Sequence, residues 1–369
     1  MICQYAFYCL AYSITGSMDI ESRMELVKAL PTEEIVSEDE MRQLFETKLR
    51  PVHYIGFEIS GMPHIGHILV AGKKINDIDK AGVKTQILLA DWHTMANNKL
   101  GGDWERILKV SQFYKKIFNA YCPNTSIVLG SDLYNGNDQY WKDLMKMAAK
   151  TTISRATRTL IIQGRSEKDT LHVSQYIYPI MQANDIHALG VDIPHSGIDQ
   201  RRVHMLAKEL FKEFGLGEIV PIHHHLLASL SEPPKIVESG DKEEIVAAMK
   251  MSKSKAGSAI QILSTDDEIR STIKSAWCPD GVTIENPILE LCRYVVFPIN
   301  GKLKITRPDK YGGDIEFLSY VELEKKYGEK GIHPMDLKHS VADVLVKLIK
   351  PIRDSLSARE REEFVALLK

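Results

Sequence analysis

Short apolar runs alternate with longer amphipathic segments along the first two-thirds of the chain. Five of these runs are predicted to be buried strands, at 53–57, 85–91, 125–131, 189–195 and 217–227. The segments between them, such as 67–82 and 104–121, repeat apolar residues at helical spacing. Strands that alternate with helices predict an α/β fold with a doubly wound, Rossmann-like parallel sheet. In such a sheet we expect ligands at the carboxyl ends of the strands.

The pattern departs from this alternation in three places. Residues 20–48 are predicted to form a helical lead-in, and a polar, mostly helical stretch at about 132–175 is predicted to be an insertion. From 263 onward amphipathic helices dominate, apart from a Pro/Gly turn region at 304–314. We therefore predict a Rossmann-like catalytic domain at 18–262 and an α-helical domain at 263–369.

The composition is that of an ordinary globular protein, with 44% hydrophobic and 26% charged residues among 369. This length favours two domains over one. The formal net charge of -2 at pH 7 gives no sign of a nucleic-acid partner, so if RNA binds, the basic surface must be local. The cysteines are few and scattered, which favours a reducing, cytoplasmic location over a disulfide framework. They are Cys3, Cys9, Cys122, Cys278 and Cys292.

Residues 1–17 are apolar enough to raise the question of a signal peptide. They contain no Lys or Arg, and the run is too short to span a bilayer. A helix with an acidic first turn is predicted directly after Met18. We expect the folded protein to begin at Met18, and residues 1–17 to be a disordered or non-native extension.

The sequence PHIGH at 63–67 follows the first predicted strand of the α/β region. His64 and His67 lie at i, i+3 on the opening turn of a helix, so both side chains face the strand–helix crevice. A helix N-terminus favours phosphate, and two imidazoles add hydrogen-bond donors. Gly66 would let a base or ribose lie against the backbone. A pair satisfied within the core or at the surface, or half of a metal site, is the alternative; no acidic or Cys ligand lies at a usable spacing.

The sequence KMSKS at 250–254 lies in a stretch rich in Ser, Gly and Ala. Lys250 and Lys253 on such a loop are suited to binding a polyphosphate and following its charge through a reaction. Taken alone, the same run describes an ordinary solvated loop. The pairing with HIGH far upstream makes the binding role more specific.

HIGH followed by KMSKS resembles the paired signature of class I aminoacyl-tRNA synthetases, and both are unaltered here. The resemblance extends from about residue 18 to the C-terminus and is closest to tyrosyl-tRNA synthetases of the archaeal and eukaryotic type. The segments that carry it are YIGFEISG, LLADWH, IYPIMQANDIHALGVD, GIDQRRVHMLAKE and HPMDLK. It implies a tyrosine–tRNA ligase that uses L-tyrosine, ATP with Mg²⁺, and tRNA(Tyr). It also implies a homodimer formed through the insertion and an anticodon-binding helical domain, with no membrane or DNA partner.

The resemblance assigns residues to the amino-acid pocket, and the residue chemistry agrees. Gln182 and Asp185 share a helix face with Tyr178, which makes sense if polar groups amid apolar ones face a ligand. By resemblance, Tyr54 and Asp185 bind the substrate phenol. The α-amino group would be held by Tyr178, Gln182 and Gln200, and the ring pocket lined by Leu88, Ala90 and His93. Phenylalanine would leave the phenol-binding groups unpaired.

The resemblance also assigns the ATP site. His64 and His67 would donate to phosphate oxygens, Lys250 and Lys253 would close over the leaving pyrophosphate, and Asp199 would take a ribose hydroxyl. The remaining ATP-binding positions would be Gly66, Met251, Ser252 and Ser254. No protein-bound metal is expected.

Residues of four segments are predicted to contact tRNA by the same resemblance. Arg158 and Arg201 match residues that meet the first acceptor-stem base pair, with surface salt bridges as the alternative. Tyr311 matches an aromatic residue that stacks on the first anticodon base, where the family usually has Phe. Asp336 matches a carboxylate that binds that base, and His333 lies beside it.

Three other functions compete with this one. Tryptophanyl-tRNA synthetase has the same architecture, but Tyr54 with Asp185 argues against it. A catalytically silent RNA-binding paralogue would not need intact HIGH and KMSKS sequences. A small nucleotidyltransferase would lack the helical C-terminal domain.

Overall fold

The sheet at the centre of the α/β region has six strands in the order β1-β6-β5-β2-β3-β4. This computed structural model describes residues 18–160, 171–233, 251 and 259–369. The strands are β1 Thr32–Ile35, β2 Val52–Phe57, β3 Lys84–Leu89, β4 Ser126–Leu129, β5 Ile193–Gly197 and β6 Ile222–His224. Strands β2 to β6 are parallel, whereas β1 runs antiparallel along β6.

The chain reverses its direction of winding between β2 and β5. From β2 it moves outward through β3 to β4, and then returns to add β5 and β6 on the other side of β2. The carboxyl ends of β2 and β5 therefore border a crevice, the usual place for a ligand in an open α/β sheet. The predicted doubly wound parallel sheet is confirmed.

The helices of the α/β region follow the predicted alternation. A π-helical turn, Gly66–Ala71, leads directly into α3 after β2. The helices are α1 Ile20–Lys28, α2 Glu38–Thr47, α3 Gly72–Lys80, α4 Asp91–Ala96, α5 Trp104–Tyr121, α6 Gly130–Tyr134, α7 Asp138–Lys150, α8 Ile153–Thr157, α9 Val173–Ala188 and α10 Arg201–Phe214. Helices α6 to α8 lie within the segment predicted to be a helical insertion, and α7 packs on α9.

Two predicted elements differ from the structure near the sheet edge. The lead-in at 20–48 contains strand β1 between its two helices, because Glu34 and Ile35 pair with His223 and Ile222 of β6. The strand predicted at 189–195 begins only at Ile193. The preceding residues end α9, and the Val52 N–H donates to the Asp192 carboxylate over 2.7 Å, which ties this corner to β2.

The C-terminal region is mostly helical, as predicted, but the Pro/Gly region belongs to a small hairpin. Its strands are β7 Leu303–Ile305 and β8 Ile315–Phe317. The helices are α11 Asp266–Ser275, α12 Pro287–Leu291, α13 Phe297–Asn300, α14 Tyr320–Gly328, α15 Pro334–Arg353 and α16 Ala358–Leu367. One apolar core runs from β2, β3 and α5 into these helices, and the Phe113 and Phe364 rings stack 4.8 Å apart across it. The boundary at 262/263 remains a prediction.

Candidate active site at the carboxyl ends of the central strands

A cavity of about 390 Å³ opens at the crevice between β2 and β5. Its wall combines β2 and the turn that follows it, one face of α9, the end of β5, and the segment after β6. The predicted site residues on this wall are Tyr54, His64, Gly66, His67, Ala90, His93, Tyr178, Gln182, Asp185, Asp199, Gln200 and Met251. The topology therefore brings together residues that lie up to two hundred positions apart.

Asp185 of α9 forms the floor of one end of the cavity. Its Oδ1 accepts hydrogen bonds from the Tyr134 and Tyr140 hydroxyls over 2.9 and 2.8 Å. Its Oδ2 is buried and has no hydrogen-bond partner among the residues that the structure describes. Burial raises the pKa of Asp185 to about 7, although the two tyrosine hydrogen bonds act to lower it. This carboxylate is thus oriented through one oxygen, and the other is left to accept a hydrogen bond.

Tyr54 and His93 complete this end of the cavity. Burial and the Asp185 charge hold the pKa of the Tyr54 hydroxyl well above its ordinary value, so this group stays a hydrogen-bond donor. The His93 ring meets the Tyr178 ring edge-on, 4.5 Å away, and its Nε2 lies 3.6 Å from Asp185 Oδ2. Burial lowers the pKa of His93 to about 4, so its imidazole is neutral. The end is polar but carries no compensating positive charge.

Leu88 does not line this cavity as expected. It is 1% exposed and belongs to the apolar cluster that also contains Tyr54. Leu88 lies on β3 opposite Gly56 of β2, so it supports the wall from within the core. Its place in the ring pocket remains a prediction, and it would act from behind Tyr54.

The His64–His67 turn forms the opposite end. The Gly66 N–H donates to His64 Nδ1 over 3.1 Å, and the His64 N–H donates to His67 Nδ1 over 3.3 Å. Since each Nδ1 accepts, each neutral ring carries its proton on Nε2 and can donate from there. A Cβ at Gly66 would lie 2.8 Å from His64 Cε1, so this glycine makes room for the His64 ring. That explains the glycine more directly than the predicted approach of a nucleotide, although Gly66 does line the cavity.

The KMSKS sequence lies mostly outside the described residues, namely Lys250, Ser252, Lys253 and Ser254. Met251 is described: it is buried, lines the cavity, and its N–H donates to the Leu227 carbonyl over 2.6 Å. On the far side, the Ile65 N–H donates to the Ile260 carbonyl and the Ile262 N–H to the Pro63 carbonyl. Met251 is therefore fastened to the segment after β6, and the described residues that follow KMSKS are fastened beside the His64–His67 turn.

Asp199 and Gln200 follow β5 on a 3₁₀ turn, Ile198–Gln200. A Cβ at Gly197 would lie 2.9 Å from Asp199 Oδ1 and 2.5 Å from Leu226 Cδ2. Only glycine at 197 allows this carboxylate to lie close over the end of the strand. Asp199 is thereby placed between the two ends of the cavity wall.

Several lining residues were missed by the sequence predictions, among them Glu58, Lys99, His195 and His224. Lys99 stands in a turn where Asn98 and Leu100 have φ of 53° and 51°. Left-handed backbone at non-glycine residues is costly and concentrates at functional sites. The sequence NNKLGG was an available signal, since Asn and Gly tolerate this conformation.

The predicted acceptor-stem residues have protein partners in the structure. Arg201 Nε donates to both carboxylate oxygens of Glu34 over 2.9 and 3.0 Å. Arg158 is exposed at the end of α8, and its carbonyl accepts from Arg202. The ion pair holds the Arg201 side chain near the cavity rim, and its contact with tRNA remains a prediction.

The predicted anticodon residues lie on two segments that Arg307 joins. Arg307 donates to the Gly313 carbonyl over 2.6 Å and to the Gly331 carbonyl over 3.0 Å. It thereby ties the hairpin loop of Tyr311, which is 61% exposed, to the residues before α15. His333 caps α15 and Asp336 lies in its first turn. An exposed aromatic ring beside a helix N-terminus suits a splayed base.

The described residues contain no group of three or more side chains placed to hold a metal ion. Within the same residues, no helix is both long enough and apolar enough to cross a membrane.

Comparisons with known proteins agree with this geometry. The family model described as "tRNA synthetases class I (W and Y)" matches residues 47–350. A tyrosine–tRNA ligase of Pyrococcus furiosus is 41% identical over an alignment of 356 positions, gaps included, that covers 91% of this chain and 95% of that protein. The crystal structure of the Pyrococcus horikoshii tyrosyl-tRNA synthetase complexed with L-tyrosine superposes with a TM-score of 0.88 at 38% identity, covering 95% of this chain and 99% of that one.

A tryptophanyl-tRNA synthetase from Plasmodium falciparum shares the fold, with a TM-score of 0.66 at 17% identity over 95% of this chain and 91% of that one. The tyrosine enzymes match at much higher identity over equally long stretches. The chain belongs to the tyrosyl-tRNA synthetase family of class I.

Proposed function

We propose that this cavity activates L-tyrosine with ATP and then transfers the tyrosyl group to the 3′ end of tRNA(Tyr). The observation that carries the proposal is the buried Asp185 Oδ2 at one end of a cavity, which has no hydrogen-bond partner among the described residues. The other end holds the His64–His67 turn, which presents donors suited to phosphate.

The amino-acid end would recognise the substrate by its phenol. The phenol O–H donates to Asp185 Oδ2 and accepts from the Tyr54 hydroxyl, while Tyr178, Gln182 and Gln200 take the α-amino group. Phenylalanine would leave Asp185 and Tyr54 unpaired in a dry site, at about 1–3 kcal/mol for each group. Tryptophan has no hydroxyl that could satisfy both groups, and its ring system is larger.

The nucleotide end would carry the first chemical step. A tyrosine carboxylate oxygen attacks the α-phosphorus of ATP, the bond to the bridging oxygen breaks, and pyrophosphate leaves. His64 and His67 donate from Nε2 to phosphate oxygens, and Lys250 and Lys253 neutralise the leaving pyrophosphate. Mg²⁺ would enter with ATP on its phosphate oxygens. Asp199 takes a ribose hydroxyl.

In the second step a ribose hydroxyl of the terminal adenosine attacks the tyrosyl carbonyl, and AMP leaves. Positioning and charge stabilisation suffice for both steps, because the phosphoanhydride of ATP activates the first step and the mixed anhydride activates the second. Arg158 and Arg201 would contact the acceptor stem, and Tyr311, His333 and Asp336 the anticodon.

Pyrophosphate exchange into ATP tests this function, run with tyrosine, tryptophan, phenylalanine and no amino acid. Exchange with tyrosine alone supports the proposal. Exchange with tryptophan would favour the other member of the family model, and silence with every amino acid would favour an RNA-binding paralogue.

The role of the His64–His67 turn has its own test. His67→Ala should slow single-turnover formation of tyrosyl-adenylate while leaving tyrosine binding intact, since His67 lies away from Asp185. A wild-type rate in this variant would remove His67 from the mechanism.

We also propose a homodimer formed through the helical insertion. Five large apolar side chains are exposed on α7, α8 and the start of α9, and exposed apolar surface is typical of protein–protein interfaces. They are Trp141, Met145, Ile153, Val173 and Ile177, at 43, 68, 69, 73 and 38% exposure. Ile153→Asp with Val173→Asp should shift the mass measured by light scattering to that of a monomer. Ile284→Asp, at an equally exposed site in the C-terminal region, is the matched control.

A cytoplasmic location is proposed as well. Cys122, Cys278 and Cys292 are free and buried, as is typical of a reducing compartment.

A further inference from the structure

Three histidines form a buried chain across three neighbouring parallel strands. His53 Nε2 lies 3.0 Å from His195 Nδ1, and His195 Nε2 lies 2.8 Å from His224 Nδ1. His53 is on β2, His195 on β5 and His224 on β6, with relative exposures of 0, 1 and 6%. None of the three has a role in the chemistry proposed above.

The two ends of this chain differ in their surroundings. At the inner end, His53 Nδ1 is buried without a hydrogen-bond partner among the described residues. At the outer end, His195 and His224 line the cavity, whereas His53 does not. Burial lowers the pKa of His53 and of His224 to about 3, so these rings are neutral.

Neutrality restricts the chain to two hydrogen-bonding directions. Each ring has one N–H, and two of the three N–H groups are used between the rings. The third lies either on His53 Nδ1, where it would be a buried donor without an acceptor, or on His224 Nε2 at the cavity. Buried N–H groups without an acceptor are rarer than unpaired acceptors. The hydrogen bonds are therefore donated outward, from His53 to His195 and from His195 to His224, which leaves the third N–H on His224 Nε2.

The neighbour of His224 favours the same direction. Gly197 pairs with His224 in the register of β5 and β6, and Asp199 Oδ1 lies 2.9 Å from the point where a Gly197 Cβ would be. The Asp199 charge acts on the His224 ring and favours its protonated form. A lone pair on His224 Nε2 would be repelled by this carboxylate, whereas an N–H beside it is stabilised.

We propose that His224 is a ribose-positioning residue whose Nε2–H donates to the same hydroxyl oxygen that gives its proton to Asp199. A hydroxyl has one donor and two acceptor sites, so Asp199 and His224 together satisfy it from both sides. His53 and His195 act through His224, because they fix which of its nitrogens carries the proton. The inference rests on the proposed function, since it assumes that a nucleotide occupies this end of the cavity.

Ribose analogues of ATP test the contact directly. The two analogues 2′-deoxy-ATP and 3′-deoxy-ATP each lack one ribose hydroxyl. In tyrosine-dependent pyrophosphate exchange, wild-type protein should prefer ATP over the analogue that lacks the hydroxyl contacted by Asp199 and His224. His224→Asn keeps a polar group near Nδ1 but none near Nε2, so this preference should fall by about five- to tenfold, with the KM for tyrosine unchanged. His224→Gln places its amide near Nε2 and should retain most of the preference.

The matched control is another buried histidine pair, His204 of α10 and His223 of β6. His204 Nδ1 lies 3.0 Å from His223 Nε2, and neither residue lines the cavity. His204→Asn should leave the ribose preference unchanged. An equal loss of preference in both Asn variants, or an unchanged preference in His224→Asn, would overturn the inference.

The proton positions can be measured without any substitution. The ¹⁵N chemical shifts of labelled imidazoles distinguish a protonated ring nitrogen from an unprotonated one, and we expect Nε2–H in His53, His195 and His224. An Nδ1–H form of His224 would contradict the chain direction. If wild-type protein shows no tyrosine-dependent exchange, the proposed function fails, and these shifts still test the chain.

Discussion

Two clusters combine imidazole with carboxylate in this protein, one buried and one half-buried, and the protonation states of their imidazoles are opposite. At the amino-acid end of the cavity, burial keeps His93 neutral and raises the pKa of Asp185 to about 7. At the edge of the sheet, the His225 ring bonds to Glu33 of β1 and Glu290 of α12 and stacks on Tyr294 at 3.7 Å. Burial alone would lower the pKa of His225, but the two carboxylates raise it to about 9.

The difference lies in how completely each cluster is satisfied. Both ring nitrogens of His225 have carboxylate partners, and Glu290 also accepts from the Ala228 N–H. Among the described residues, Asp185 accepts hydrogen bonds through Oδ1 only, and Oδ2 can accept one from a ligand. A cluster closed on itself joins parts of the fold, here the sheet edge and the helical region. A cluster left open at one atom can bind a ligand.

The largest expected effect is on the closed cluster. His225→Ala would leave Glu33 and Glu290 facing each other without a cation, and because the cluster is only half-buried we expect a loss of about 1.5–3 kcal/mol, the range for hydrogen bonds to charged groups. Urea unfolding should show the loss. Glu33→Gln combined with Glu290→Gln in the His225→Ala background should recover part of it, and no recovery would mean that the lost ring packing dominates.

A substitution in the Asp185 cluster should change the binding of tyrosine. Asp185→Asn removes the charge that accepts the phenol, and a hydrogen bond to a charged group is worth about 1.5–3 kcal/mol. We expect the KM for tyrosine to rise by about 10- to 100-fold and the discrimination against phenylalanine to fall. Asp143→Asn, at a partly exposed carboxylate on α7, is the control. Unchanged discrimination in Asp185→Asn would show that the phenol is read elsewhere.

The pH dependence of stability should separate the two clusters. Both groups bind protons more tightly in the folded state, so both contributions are present at low pH and are lost as pH rises. The Asp185 contribution falls between its ordinary pKa of 3.8 and about 7, and that of His225 between 6.5 and about 9. We therefore expect the melting temperature of the wild-type protein to fall in two steps as pH rises. The upper step should be absent in His225→Gln and the lower step in Asp185→Asn. Persistence of either step in its variant would contradict the assignment.

The smallest effect tests how firmly Asp185 is oriented. Tyr140→Phe removes one of two donors to Oδ1 and keeps the ring, so the Tyr134 hydroxyl still holds the carboxylate. We expect the KM for tyrosine to rise by about threefold, within the range of a single neutral hydrogen bond. The double variant Tyr134→Phe with Tyr140→Phe should lose more binding free energy for tyrosine than the sum of the losses in the two single variants. Additive effects would show that the donors act independently.

Local pattern was sufficient for much of the fold and for many residues of the cavity. The strands β2 and β3 follow from apolar runs bounded by turns, because a strand buried on both faces requires such a run. The spacing of Tyr178, Gln182 and Asp185 on one helix face follows from helical geometry alone. The resemblance carried by HIGH and KMSKS added the family, because those sequences are specific as a pair.

Partners distant in sequence were decided only by the tertiary structure. Strand β1 is polar and short, and it exists because β6 offers it an edge. Tyr134 and Tyr140 orient Asp185 from the insertion, Glu34 holds Arg201, and Arg307 joins the two predicted anticodon segments, none of which leaves a local pattern. Leu88 matched its motif and yet lies in the core, because burial depends on what packs above a strand. The sequence determines which chemical groups are present and how they are spaced along the chain. Which groups pair, how deeply each is buried and how far its pKa shifts depend on its neighbours in three dimensions.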